Sequence, residues 1–414
     1  MRTGRRELIR DLNRSIVLNL LRERGPLSRA GLARLSGLSS STVTEIVAVL
    51  LADGFIREED RTSAAASAIG RPPTLLYVDP EAGFVGGLKL TADSLTATVT
   101  DLVAEPRAFV TVPHPPEADD ATIVATFEAA MAQAIEAAGI ERDHLMGLGL
   151  GVPGAVVDGE VVGSPIPGWG GIDLQHLLAR HFGLPVFLDN DVNTLTVAEH
   201  LYGAGAGAAT FMVVTVGRGI GMGIVVNGAL HRGARGAAGE LGHVQAIPDG
   251  PACWCGRRGC LEAVAAEPAL VRDVLAATGR LAAPEELAAL GDRDPEVAAI
   301  LTSAGLLVGQ AVADAAMLID PERVIVSGEG VRLGHRYLDA IRAGVQRHHG
   351  MTEPQLVVEP WGDEAWARGA AALVLRELFH PAHLRDDGSA ASAERARENG
   401  TTRRLARAGR GGSR

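Results

Sequence analysis

The sequence predicts an α/β body of two related lobes, preceded by a small helical head and followed by a polar tail. Three observations carry that reading. From about residue 76 to 380, strand-like apolar runs alternate with helical patterns. The first 75 residues instead run helix, helix, glycine turn, helix, strand. The charge follows the same division. Residues 1–75 hold 12 Arg against 8 Asp and Glu, and residues 381–414 hold 8 Arg against 4, although the whole chain carries −11. A basic head on an acidic body suggests a nucleic-acid-binding module fused to something that is not one.

The head opens with Leu8, Ile9, Leu12, Ile16, Leu20 and Leu21 at helical spacing, stopped by Gly25-Pro26. Ser28 is placed to cap a second helix, and Ser36-Gly37-Leu38 forms a turn. Ser39 or Ser40 caps a third helix whose inner face is Val43, Ile46, Val47, Leu50 and Leu51, before a strand begins at Gly54 to Arg57. That order is a winged helix-turn-helix, whose third helix enters the major groove. Ser40, Ser41, Thr42, Thr44 and Glu45 would face outward, and the hydroxyls could meet phosphates or base edges. The wing ends in Gly70-Arg71-Pro72-Pro73. Arg71 is either a minor-groove hook or part of a stiff linker.

In the body, strand-like runs fall at 84–90, 95–102, 146–152, 186–188, 211–216, 224–226 and 324–326. Helical patterns fall at 119–139, 172–182, 194–204, 261–276 and 295–318. A strand pair, a long helix and the same again suggest two lobes around a cleft. No apolar run approaches the roughly 20 residues that span a bilayer, and the N-terminus lacks a signal-peptide core. The chain is expected to be cytoplasmic, with reduced thiols. The tail lacks an apolar period and reads as disordered.

All three cysteines lie in one stretch, Cys253-Trp254-Cys255-Gly256-Arg257-Arg258-Gly259-Cys260, ten residues after His243. Three thiolates and an imidazole make a complete tetrahedral set for a structural zinc, with no position left for water. Inert buried thiols and a disulfide are the alternatives. The compression of three thiols around two glycines, and the expected compartment, favour zinc. Glu240 and Glu262 flank the set.

The stretch from Gly239-Glu240-Leu241-Gly242-His243 to Glu262 closely resembles the signature of the ROK family of repressors, open reading frames and sugar kinases. Leu188-Asp189-Asn190-Asp191-Val192-Asn193 resembles its catalytic segment. Pro153-Gly154 and Pro165 to Trp169 resemble its sugar-side loops, and Gly217 to Ile224 its second phosphate loop. The likeness covers about 76–380, and residues 1–75 match the head of the repressor branch. It implies a two-lobed actin-like ATPase and hexokinase (ribonuclease H-like) fold. It also implies sugar contacts at Gly154, Asn190, Asp191, Glu240, His243 and Glu262, and a zinc held by His243, Cys253, Cys255 and Cys260. His243 would then bind metal through one ring nitrogen and a sugar hydroxyl through the other.

The family's kinases begin the body with Asp-x-Gly-Gly-Thr. Here the aligned residues are Lys89-Leu90-Thr91-Ala92-Asp93, and Arg218 replaces a threonine in the second phosphate loop. The nucleotide end reads as degraded and the sugar end as intact, so Asp191, the family's general base, becomes a ligand contact. The expectation is a non-enzymatic, sugar-responsive regulator, most simply a repressor, that pairs as a homodimer or homotetramer on operator DNA. Its domains are 1–75, 76–380 and the tail 381–414. The alternative is an ATP-dependent sugar kinase with a DNA-binding head.

Overall fold

The computed structural model describes residues 2–59, 74–114, 119–166, 169–350 and 353–378. Arg71, Pro167, Gly168 and the tail 381–414, each given a role or character above, lie outside the described residues.

The head has helices α1 (Arg2–Arg24), α2 (Arg29–Ser36) and α3 (Ser40–Ala52). Ser28 caps α2 by accepting from the Gly31 N–H, and Gly37 closes it at φ 70°. Ser39, the first of the two candidate caps, accepts from the Thr42 N–H. Helices α2 and α3 meet at 118°, within the helix-turn-helix range. Val43, Ile46, Val47 and Leu50 are buried as expected, against Leu32 and Leu21.

Strand β1 (Ile56–Glu59) pairs antiparallel with β2 (Leu75–Val78) to form the wing. Leu76 exchanges both backbone hydrogen bonds with Leu27, so β2 belongs to the head. The expected division after residue 75 falls within this strand.

The first lobe is a meander of β3 (Phe84–Leu90), β4 (Ser94–Asp101) and β5 (Pro106–Pro113). It continues through α4 (Asp120–Ala138), β6 (Leu145–Val152), a hairpin of β7 (Ala155–Val157) and β8 (Glu160–Gly163), α5 (Leu174–Phe182) and β9 (Val186–Asn190). Its five strands lie in the order β5-β4-β3-β6-β9, with β3, β6 and β9 parallel. Helix α6 (Asp191–Tyr202) leads out.

The second lobe repeats the scheme. Strands β10 (Phe211–Val216), β11 (Ile220–Val226) and β12 (Ala229–Leu230) form the meander. The cysteine loop follows, then α7 (Leu261–Ala265), α8 (Glu267–Thr278), α9 (Leu287–Gly291) and α10 (Pro295–Ile319). Strand β13 (Arg323–Ser327), α11 (His335–His348), β14 (Gln355–Val358) and α12 (Asp363–Leu378) complete it. The order is β12-β11-β10-β13-β14, the same topology.

Three local expectations change. Strand β11 starts at Ile220, earlier than its apolar run, because its glycines lie under α6. The expected helix 261–276 breaks at Ala266, which is extended and caps α8 with a proline in its first turn. Helix α10 is long and apolar enough to span a bilayer, against the expectation of no such run. Its apolar face, including Val297, Leu301, Val308 and Val312, is instead buried in the second lobe's core.

Helix α12 lies directly on the first sheet. A Cβ on Gly87 would sit 2.0 Å from the Ala367 carbonyl oxygen, and one on Gly149 1.8 Å from that of Ala370. Only glycine allows this approach. Further along, Ala371, Val374 and Leu375 join the head's own core with Val17, Leu21 and Leu76. The helix that lies on the body's sheet therefore borders a buried cluster continuous with the head's core.

Candidate functional site

The cleft gathers residues from both lobes. In the first lobe, Gly154 turns the chain after β6 at φ 110°, with the Gly163 carbonyl where a Cβ would go. Its own carbonyl accepts from Asn190 Nδ2 at 2.9 Å. Asn190 Oδ1 caps α6 by accepting from the Val192 and Asn193 N–H groups. Asn190 thus joins two of the expected sugar-side segments and spends much of its side chain inside the protein.

Asp191 begins α6, where the helix N-terminus favours a carboxylate. Desolvation nevertheless pushes its pKa up to about 7, against the pull of the Lys89 ammonium and with a further push from Glu329. The neighbouring Asp189 is buried and fully engaged. It accepts from Arg232 Nε at 2.7 Å, Asn193 Nδ2 at 2.7 Å and the Asn190 N–H at 2.8 Å. Arg232 follows β12, so this pair ties the lobes together. Nothing local in the sequence marked Arg232.

In the second lobe, Gly239 carries φ 90° and its carbonyl accepts from the Met222 N–H at 2.9 Å, which seats the loop on β11. His243 then points Nδ1 at Cys253 Sγ, 3.5 Å away, and Nε2 towards Glu240 Oε2 at 3.7 Å. Cys255 and Cys260 Sγ are 3.7 Å apart. The four donor atoms lie within 4.8 Å of one another, and the cysteines are free thiols. Zinc bonds of ~2.0–2.3 Å in a tetrahedron give donor separations of about 3.4–3.8 Å. The donor set and its spacing fit zinc. Without a cation, burial pushes the Cys253 thiol up to about 12 and raises Cys260 too.

Glu240 and Glu262 stand beside this cluster. Burial raises the Glu240 pKa, countered by His243 and reinforced by Glu262, so the three are close. Glu262 Oε2 accepts from the Ile220 N–H at 3.2 Å. The adjacent Gly221 lies against Val192, so the two halves of the expected sugar set adjoin.

At the other end, Lys89 is 3% exposed and is the only lysine in the chain. It donates to Asp363 Oδ1, lies 3.9 Å from Glu329 Oε1, and stands 4.2 Å from the Trp366 ring centre. Sequence reasoning located the lysine but neither acid, since both come from distant segments. Above it, Arg218 reaches Asp93 at 3.5 Å across the lobes on the surface.

On the head, Ser40, Ser41 and Thr44 are exposed and Thr42 is half-buried. Thr42 Oγ1 lies 2.8 Å from the Ser39 hydroxyl, and Thr44 Oγ1 donates to the Ser40 carbonyl. Ser41 Oγ also lies 2.9 Å from the Ser39 hydroxyl, so three of the four expected contacts also serve their own helix.

Comparison with known proteins agrees with this architecture. The profile of the ROK family matches residues 85–377, and one for winged helix-turn-helix DNA-binding domains matches residues 10–57. A putative xylose repressor of Caldicellulosiruptor sp. (strain Rt8B.4) is 27% identical over 91% of this chain and 98% of its own. A solved ROK family transcriptional regulator, titled a homologue of the Escherichia coli MLC protein, superposes with a TM-score of 0.77. It is 25% identical and covers 90% of this chain and 97% of its own. A ROK family glucokinase from Streptomyces griseus, solved with glucose and AMPPNP, has a TM-score of 0.62 and is 30% identical. It covers 70% of this chain and 99% of its own.

Proposed function

Because the chain belongs to the ROK family and carries a winged helix-turn-helix head, we propose that it is a sugar-responsive, DNA-binding transcriptional repressor. The observation that carries this reading is the shared core. Ala371, Val374 and Leu375 of α12 belong to one buried cluster that also takes in Val85 and Leu102 of the first lobe and Val17, Leu21 and Leu76 of the head, while Asp363 at the start of α12 pairs with Lys89 in the cleft. A change in the cleft is thereby mechanically connected to the DNA-binding end.

In this reading a pyranose lies between the lobes. Its hydroxyls meet Glu240, Glu262, Asn190 and Asp191, the Gly154 backbone and His243 Nε2. Carboxylates and amides suit vicinal hydroxyls because each can take two hydrogen bonds. Zinc held by His243, Cys253, Cys255 and Cys260 would stabilise the loop that carries Glu240 and fix the ring of His243. Two copies of the head on one operator would read two half-sites, and lobe closure would alter their spacing. The chain would work in the cytoplasm, as a homodimer or homotetramer.

Lys89 argues against phosphoryl transfer. A buried ammonium already satisfied by Asp363, with Glu329 nearby, occupies the end where family kinases place an acid and a glycine turn. The runner-up is a sugar kinase, favoured by Asp191, whose carboxyl near neutrality suits a general base.

Two measurements test the reading. Duplexes selected from a random pool by the purified protein should lose or gain affinity when D-xylose, D-glucose or N-acetyl-D-glucosamine is added. A coupled ATP-consumption assay across the same sugars should show no turnover. Turnover abolished by Asp191→Asn would establish the kinase instead.

A further inference from the structure

We propose that Trp254 is the aromatic platform of the sugar subsite and the residue that positions Glu262, so that it sets which pyranose the cleft accepts. This inference rests on the sugar-sensing reading above.

Trp254 is inserted between two of the cysteines, yet its side chain is 53% exposed. The other tryptophans, 169, 361 and 366, are buried or half-buried. An indole left in water on an otherwise tightly tied loop calls for an explanation. Its polar edge is not idle. The indole N–H donates to Glu262 Oε1 at 2.6 Å, while the Ile220 N–H holds Oε2. Both carboxylate oxygens are thereby fixed in direction, and each keeps a lone pair for a ligand hydroxyl. The indole also stands edge-on to His243, with ring centres 4.9 Å apart and planes at 77°.

The arrangement therefore places three polar groups, Glu240, His243 and Glu262, beside a half-exposed aromatic side chain. A pyranose with equatorial hydroxyls has the matching chemistry. Its rim donates and accepts hydrogen bonds, and its flat face presents axial C–H bonds to an electron-rich ring. A sugar with an axial hydroxyl on that face would lose the contact, and an acyclic polyol has no face to offer.

The test is calorimetric titration of the full-length protein with D-xylose, D-glucose, N-acetyl-D-glucosamine and, as the acyclic control, D-mannitol. Zinc content is measured on every variant. Trp254→Ala, which removes both platform and N–H, should weaken binding of the accepted pyranose about tenfold. Trp254→Phe keeps a ring and loses the N–H, and should weaken it by a smaller factor. Zinc should be retained in both, because no ligand is changed. The accepted pyranose should shift the indole emission of the wild type, and this shift should be absent in Trp254→Phe. That fluorescence comparison decides the matter even where the alanine variant does not fold. Equal affinity of wild type and the Phe variant together with an unchanged emission shift overturns the inference alone, as does mannitol binding as tightly as the pyranoses. A wild type that binds none of the four overturns the sensing reading, and this inference with it.

Discussion

The two ends of the cleft treat their carboxylates in opposite ways. At the phosphate end, Asp363 and Glu329 are drawn to Lys89, so the charge is neutralised within the protein. At the cysteine-loop end, Glu240 faces His243 and another carboxylate, Glu262, whose oxygens are held by an indole and a backbone N–H. One end pairs its carboxylates with a cation, and the other holds them with neutral donors and an imidazole. The difference teaches that the two ends of one cleft can settle their buried charge by different means, an internal cation at one and hydrogen-bond donors at the other. In the proposed reading, Lys89 supplies the positive charge at one end, and the carboxylates at the other end remain available for ligand hydroxyls.

The largest expected effect tests whether the loop end is built on metal. Cys255→Ser should lose zinc by elemental analysis and lower the melting temperature by about 10 °C or more, since a structural zinc contributes directly to folding. An unchanged melt would mean that the loop holds its carboxylates without metal, and the contrast between the ends would need another basis.

Next in size is the route from cleft to head. Leu375→Ala removes a fully buried side chain from the shared core. It should destabilise the protein by ~2–5 kcal/mol in chemical denaturation. It should also blunt any effect of sugar on DNA binding. Preserved coupling in a folded variant would show that α12 is not the connection.

The remaining two concern the Lys89 end and are smaller. Asp191 has a raised folded pKa of about 7, so it favours the folded state when protonated. That contribution is complete below the unfolded carboxyl value and fades as pH climbs towards 7. Asp191→Asn should therefore flatten the decline in melting temperature between about pH 4 and 7. Lys89→Met leaves the half-exposed Asp363 and Glu329 without their cation, and should destabilise the protein by about 1–3 kcal/mol. With the ammonium gone, the Asp191 carboxyl should titrate higher still, and the decline should extend above pH 7. An unchanged pH profile would show that Lys89 does not act on Asp191.

Much of the fold was legible because its signals are local. Ser28, Gly37 and Ser39 cap their helices as the serine and glycine positions implied. Strands β3, β6, β10 and β13 follow their apolar runs closely. Helix α12 was not legible, since it is Ala-rich and buried on several sides, and leaves little periodic contrast. Strand β2 was not read from the sequence, because it is four residues long and its partner β1 lies sixteen or more residues earlier in the chain. In the site, the thiols and Glu240, His243 and Glu262 stood out by spacing. Arg232, Glu329 and Asp363 did not, because each meets its partner across more than 40 residues.

By itself, then, the sequence determined the head, the alternating body and the four donors of the metal cluster. These depend on neighbours within a few turns of chain, where spacing translates directly into geometry. Only the tertiary structure decided that Lys89 is sheathed by two distant acids, that Trp254 holds Glu262, and that the helix starting at Asp363 ends in a buried cluster shared with head residues. Those are long-range pairings, and nothing in the local pattern of either partner encodes where the other will be.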